Sequence, residues 1–208
     1  MALTRNSGDD ADRKVTPRAH ERDFDGLVLA LDDAAAATRR WAARDLAGCA
    51  QATSALLARL AVERDVSVRQ TLLTSLSVMG SEEVVRGLID FLRSDDAALR
   101  NEVVEAMKNM PDAVAAFMPQ LLADADTDVR IFAINVLESL RHAEVERWLV
   151  DVIASDPSVN VCATAVDLLS EVGTPAAEHA LEALKLRFPD EPYIVFATDL
   201  ALKRVREG

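Results

Sequence analysis

The chain has 208 residues, of which 50% are hydrophobic and 4% aromatic, and its formal net charge is −12. This length and apolar content suffice for a continuous core, whereas the acidic charge argues against nucleic acid as the main partner. No run of about 18 apolar residues occurs, so we expect no membrane-spanning helix. The two cysteines, Cys49 and Cys162, form no disulfide framework and favour a reducing cytoplasm.

Residues 1–22 are polar and nearly balanced in charge, and they show no hydrophobic periodicity. This composition predicts a disordered N-terminal tail. From residue 23 onwards, apolar residues recur at helical spacing, which predicts one domain (23–208) of helical hairpins. We expect six hairpins, with bounds placed to within about three residues. They cover about 23–50, 51–80, 81–110, 111–141, 142–173 and 174–207.

An arginine recurs every 30 or 31 residues, and similar neighbours accompany it each time. The members of this arginine column are Arg39, Arg69, Arg100 and Arg130, and a further copy carries Cys162 there. Residues one before, three after and seven after the column are mostly apolar and share one helical stripe. Six positions before the column stand Asp33, Glu63, Ser94, Asp124 and Asp156. A single hairpin cannot bury its own apolar faces, so we expect an all-α fold, a right-handed α-solenoid of stacked hairpins.

Glycines and capping residues fall between the expected helices. Gly80 and Gly173 stand where a helix should end, as residues that tolerate positive φ. Ser81, Asp156 and Thr174 are predicted N-caps, since their side chains can accept hydrogen bonds from first-turn amides.

The pattern of an acid, five residues and an arginine resembles the HEAT repeat. The run Asp124-Ala-Asp-Thr-Asp-Val-Arg130 resembles the short-repeat branch named after phycobiliprotein lyases. The resemblance covers about residues 23–190 and implies that the acid and the arginine bridge adjacent repeats. We therefore expect a structural ladder rather than ligand-binding residues at Asp33, Arg39, Arg69, Arg100, Asp124 and Arg130.

The resemblance also implies that the second helix of each hairpin lines a concave groove. On these helices, positions one, two, five and eight after the arginine column turn away from the core stripe. The groove should be basic at its first repeat and acidic at its far end. We predict partner-binding residues at Arg40, Trp41, Arg44, Gln70, Thr74, Asn101, Glu105, Phe132, Asn135 and Asp167. Packing between repeats is the alternative role for Trp41 and Phe132.

Sequence motifs for catalysis or metal binding are absent. His20, His142 and His179 are scattered, without a second His or Cys at ligand spacing. We therefore predict no catalytic residues, no metal and no cofactor. Cys162 leaves three roles open: a small apolar filler, a softer junction where the ladder lacks its arginine, or a thiol that attaches a ligand such as a tetrapyrrole.

The leading function is a non-catalytic protein-interaction scaffold in a bacterial cytoplasm. It would act as a monomer and bind a helix or extended segment of another protein, with an acidic end and a basic end, in the groove. The alternative, implied only by the repeat subtype, is a bilin lyase or isomerase-like accessory protein. A DNA glycosylase of HEAT-like fold would need a basic groove, and the net charge opposes it.

Overall fold

The computed structural model describes residues 21–207, and the regular structure within this range is entirely helical. The expected tail therefore lies outside the described residues, apart from Glu21 and Arg22. The helices are α1 (Phe24–Ala30), α2 (Ala36–Asp45), α3 (Thr53–Val62), α4 (Val66–Met79), α5 (Glu82–Ile89), α6 (Ala97–Lys108), α7 (Pro111–Ala115), α8 (Met118–Leu122), α9 (Thr127–Leu137), α10 (Val145–Ser155), α11 (Val159–Val172), α12 (Glu178–Arg187) and α13 (Pro192–Glu207). Short 3₁₀ turns occupy Ala50–Ala52, Asp90–Arg93 and Pro175–Ala177.

The helices form two layers. In layer B each helix packs against the next in chain order, and its members are α2, α4, α6, α9, α11 and α13. Layer A contains α1, α3, α5, α7, α8, α10 and α12, and most neighbours within it also pack together. Because each layer-B helix also packs on layer-A helices, the chain is a stack of hairpins. The predicted all-α solenoid is confirmed.

The core lies between the two layers and follows the stripe that the sequence predicts. Leu46, Leu72 and Leu76 are completely buried, and so are Val103 and Leu169. A fully buried leucine contributes about 1.5–3 kcal/mol relative to an exposed one. These side chains meet residues of neighbouring helices, so each repeat depends on the next one for its burial.

The positions of Gly80 and Gly173 each require a glycine, but for different structural reasons. Gly80 has φ 56° and ends α4 in the left-handed region, with its N–H donating to the Leu76 carbonyl at 3.1 Å. At Gly173 the prediction of positive φ is wrong, because φ there is −69°. A Cβ at Gly173 would instead lie 2.5 Å from the Leu169 carbonyl oxygen. The glycine therefore permits close backbone approach.

Two of the three predicted N-caps are confirmed. The Ser81 hydroxyl accepts from the Val84 N–H, and Thr174 caps the 3₁₀ turn that precedes α12. Asp156 is wrong as an N-cap, because Ser158 caps α11. The sequence analysis missed a column of caps four positions before the arginine column. Its members are Asp65, Asp96, Asp126 and Ser158.

Candidate functional site

The loop between the two helices of a repeat is closed by the acid and arginine columns. The Glu63 carboxylate accepts from the Asp65 N–H at 2.9 Å, and Asp124 accepts from the Asp126 N–H at 2.9 Å. The arginine then closes the loop from the other side, since Arg130 Nη1 donates to the Asp124 carbonyl at 2.7 Å. These bonds fix the direction in which α4 and α9 leave their loops.

Two arginines join one repeat to the next through paired hydrogen bonds. Arg39 donates to Glu63 from Nε at 2.7 Å and from Nη2 at 2.9 Å. Arg130 donates to Asp156 in the same way, at 2.7 and 3.2 Å. Burial by itself would raise the pKa of Glu63, but hydrogen bonds from Arg39, the backbone and Arg59 outweigh it and lower that pKa to about 2.

Arg69 reaches different carboxylates because the next repeat has Ser94 in the acid column. Its Nη1 donates to Asp96 at 2.7 Å and its Nη2 donates to Glu102 at 3.0 Å. The bridge between the second and third repeats is therefore kept, with the N-cap of α6 as one acceptor.

Arg100 and Asp124 do not form the bridge expected of ladder residues. Asp124 pairs with Arg93 instead, and Arg100 makes no ion pair within residues 21–207. The Arg100 guanidinium donates to the Ser94 carbonyl at 2.6 Å and lies over the Phe132 ring, 5.8 Å from its centroid. At this junction Arg93 forms the ion pair with Asp124, and Arg100 contributes a cation–π contact instead. Asp33, at the first repeat, accepts from the Ala35 N–H at 2.7 Å.

Cys162 is buried inside the array. The weaker junction expected beside it is stabilised by Arg187 instead. The thiol is 0% exposed, and burial raises its pKa, which disfavours a role in attaching a ligand. Arg187, from α12, donates to the Ile153 carbonyl at 2.5 Å and to the Asp156 carbonyl at 2.7 Å. An arginine of the next repeat thus binds the loop that lacks its own.

Among residues 21–207, three hollows lie on the open face of layer B, and together we call them the groove. The first, of about 430 Å³, lies between α2 and α4, and the second, of about 940 Å³, lies between α4 and α6. Gln70, Thr74 and Val78 line both, so these two hollows are continuous. The third, of about 240 Å³, lies between α9 and α11. Eight of the ten predicted partner-binding residues line a hollow: Arg40, Arg44, Gln70, Thr74, Asn101, Glu105, Asn135 and Asp167.

Trp41 and Phe132 are the two predicted residues that do not line these three hollows. Both occupy the position two after the arginine column. In other repeats this position lines a hollow, at Thr71, Glu102 and Thr164. It also contacts the preceding repeat, since Glu102 and Phe132 meet Arg69 and Arg100. Phe132 is half-buried and packs between repeats. Trp41, in the same position of the first repeat, is 51% exposed. A groove role for Trp41 and Phe132 therefore stays a prediction, and the contacts of Phe132 favour packing between repeats for that residue.

Charge is graded along the groove. Arg40 and Arg44 line the first hollow, whereas Glu138, Asp167 and Glu171 line the third. Between them, Lys108 bridges Glu105 and Glu138 with both contacts at 3.1 Å. Lys108 is the cation that bridges α6 and α9. The acidic end has more carboxylates than this one lysine can balance.

The sequence analysis missed the sixth repeat's contribution to this face. In α13 the buried residues Ile194, Thr198 and Leu202 repeat the core stripe. In that register Phe196 and Leu200 occupy the positions that Arg40 and Arg44 hold in the first repeat, and they are 66% and 40% exposed. The signal was present in the sequence, but the arginine column holds a valine here, which hid the register.

Two negative findings concern the part of the chain that the structure covers. Between residues 21 and 207, no three His, Cys, Asp or Glu side chains are grouped so that they could hold a metal ion. None of the helices described combines the length and apolar character needed to cross a bilayer. His142 stacks on Trp148, with ring centroids 5.1 Å apart, which gives that histidine a packing role.

The fold and its repeated loop bonds define an α-helical repeat protein built from hairpins. The family model for HEAT repeats matches residues 24–108 and 114–199. The chain therefore belongs to the HEAT-repeat family. A comparison with curated proteins finds no match.

Similar solved structures include several helical repeat proteins. A HEAT-like repeats protein from the archaeon Thermococcus onnurineus is 13% identical, with a TM-score of 0.48, over 87% of this chain and 86% of that one. Human deoxyhypusine hydroxylase is 17% identical, with a TM-score of 0.45, over 88% and 84%. The complex of CpcE and CpcF of phycocyanin lyase from Nostoc sp. is 16% identical, with a TM-score of 0.38, over 96% and 100%.

Proposed function

We propose that this protein is a non-catalytic interaction scaffold that binds a segment of another protein along the groove. The observation that carries the proposal is the continuity of the first two hollows, which share Gln70, Thr74 and Val78. Val78 is 71% exposed there, among amide and hydroxyl groups. A long surface of polar donors around an apolar side chain suits an extended or helical segment.

The charges of the groove define the polarity of the partner segment. Arg44 is exposed in the first hollow, and Arg40 beside it donates to the Ser67 hydroxyl at 3.2 Å. Acidic residues of the partner should lie here, and basic residues should lie near Asp167 and Glu171 in the third hollow. A segment bound in the opposite direction would place like charges together at both ends.

We place this scaffold in the cytoplasm as a monomer. Both cysteines are free thiols, which supports a reducing compartment. Cys162 is buried and Cys49 is half-buried, so neither needs an oxidising environment for its role in the fold.

The test is affinity capture with charge-reversed baits of equal net charge. Arg40→Glu with Arg44→Glu reverses the first hollow. Arg86→Glu with Arg147→Glu makes the same charge change on exposed positions of layer A. We expect the wild type and the layer-A variant to recover the same partner, and the groove variant to lose about tenfold or more of it. Equal recovery by all three baits would rule out the first hollow as the binding site.

A further inference from the structure

We infer that the groove ends in an apolar anchor site on α13, made of Tyr193, Phe196 and Leu200, which takes a basic amphipathic helix of a partner protein. The inference rests on the proposed scaffold function and specifies the chemistry of the partner segment. These three residues lie at positions i, i+3 and i+7, so they share one face of the helix. They are 54%, 66% and 40% exposed.

The register of α13 directs this stripe to the same face as the groove. Position one after the arginine column is Arg40, Gln70, Asn101, Ile131 and Ala163 in the first five repeats, and Phe196 in the sixth. Position five is Arg44, Thr74, Glu105, Asn135 and Asp167, and then Leu200. The surface therefore changes from mainly polar to large apolar side chains at its last repeat. A contiguous exposed apolar stripe of this kind marks an interaction site.

Contacts between α11 and α13 join the stripe to the third hollow. The Tyr193 hydroxyl donates to both carboxylate oxygens of Asp167, at 3.0 and 2.8 Å. This hydrogen bond raises the pKa of Tyr193 and holds its ring beside the carboxylate. Asp167 itself lines the third hollow together with Glu171. The apolar stripe and the acidic hollow thus form one surface.

The stripe is distinct from the surface on which α12 and α13 form ion pairs. Ion pairs between α12 and α13 make that surface polar: Lys185 contacts Asp199 at 2.5 Å, and Arg206 contacts Glu182 at 2.7 Å. Phe196 and Leu200 take no part in these pairs and lie on a different face of α13 from Asp199 and Arg206.

Charge complementarity determines which kind of partner segment would bind on the α13 stripe. Carboxylates of Glu138, Asp167 and Glu171 lie on the α9 and α11 side of the stripe, whereas Lys203 and Arg204 lie further along α13. Arg204 donates to the Ser170 hydroxyl at 3.1 Å. A helix with apolar anchors and a basic flank toward the third hollow satisfies both features. A second copy of this chain would bring another acidic surface to the same place.

The test uses two labelled peptides of about 16 residues with apolar side chains at helical spacing. One carries lysines along a flank and the other carries glutamates there. Fluorescence anisotropy should show that the lysine peptide binds the full chain and that the glutamate peptide binds about tenfold or more weakly. Phe196→Ala with Leu200→Ala should weaken the lysine peptide about tenfold or more. The matched control, Leu186→Ala, truncates a leucine that is 84% exposed on α12 and should leave binding unchanged.

Three outcomes would overturn the anchor site: no binding of the lysine peptide, equal binding of both peptides, or equal binding by wild type and the Phe196/Leu200 variant. A dimer in sedimentation that the same variant dissociates would also overturn it, because the occupant would then be a second copy. Failure here is separable from failure of the scaffold function. The Arg40 and Arg44 charge reversals test the opposite end of the groove, and their effect on captured partner does not depend on α13.

Discussion

Replacing Glu63 by glutamine should destabilise the array strongly at neutral pH. The Glu63 side chain is 1% exposed and accepts from Arg39 and Arg59, and the substitution removes its charge while keeping its size. The folded state lowers its pKa from 4.5 to about 2. At about 1.36 kcal/mol per pKa unit, that shift corresponds to about 3 kcal/mol of stability above pH 4.5. This agrees with about 3–5 kcal/mol for breaking a buried pair.

The pH dependence of this loss follows from the direction of the shift. Because the folded state has the lower pKa, the contribution is complete above pH 4.5 and disappears as the pH falls toward 2. Urea denaturation followed by circular dichroism should show wild type and Glu63→Gln about 3 kcal/mol apart at pH 7 and about 1–1.5 kcal/mol apart at pH 3. Glu182→Gln, at an exposed pair with Arg206, is the control and should cost about 0.5 kcal/mol or less. A Glu63→Gln protein as stable as the wild type at pH 7 would refute the reasoning.

Three further stability predictions can be measured by the same urea denaturation. Arg130→Ala should cost about 3–5 kcal/mol, because it leaves the Asp156 carboxylate buried without its guanidinium. Arg100→Ala breaks no ion pair and should cost only about 1–2 kcal/mol. Arg187→Ala should cost about 1–2 kcal/mol by removing the donor to the Ile153 and Asp156 carbonyls, and equal stability to wild type would show that this arginine does not replace the missing ladder residue. Gly80→Ala should cost about 1 kcal/mol, since φ is positive there, and no loss would contradict the left-handed end of α4.

The fold was predictable because each repeat restates the same register. The buried stripe around the arginine column appears in the sequence several times, so a local error at one repeat cannot change the architecture. The groove residues on α2, α4 and α6 followed from that register by geometry alone. Predictions failed where a residue departs from the repeat. Ser94 moved the Arg69 bridge to Asp96, and Arg187 supplied a bond that no column contains.

In the sixth repeat the acid and arginine columns do not reveal the register of the helix. Val195 stands in its arginine column and Pro189 in its acid column, so neither marker of the repeat is present. The core stripe of α13 still carries the register, but it becomes certain only when burial is seen. The packing of Phe132 against Arg100 was not predicted, for a different reason. Which side of a helix faces the preceding repeat depends on how the helices pack. The sequence of a single helix does not reveal that packing.

Site-specific photo-crosslinking tests the central claim, that partners bind on the open face of layer B. A photoreactive residue at Thr74 would lie in the wall shared by the first two hollows, whereas one at Ala58 would lie on an exposed part of α3 in layer A. We predict that Thr74 yields a defined cross-linked partner in the cells of origin, that Arg40→Glu with Arg44→Glu abolishes it, and that Ala58 yields none. Cross-linking of the same partner from Ala58 but not from Thr74 would contradict the account.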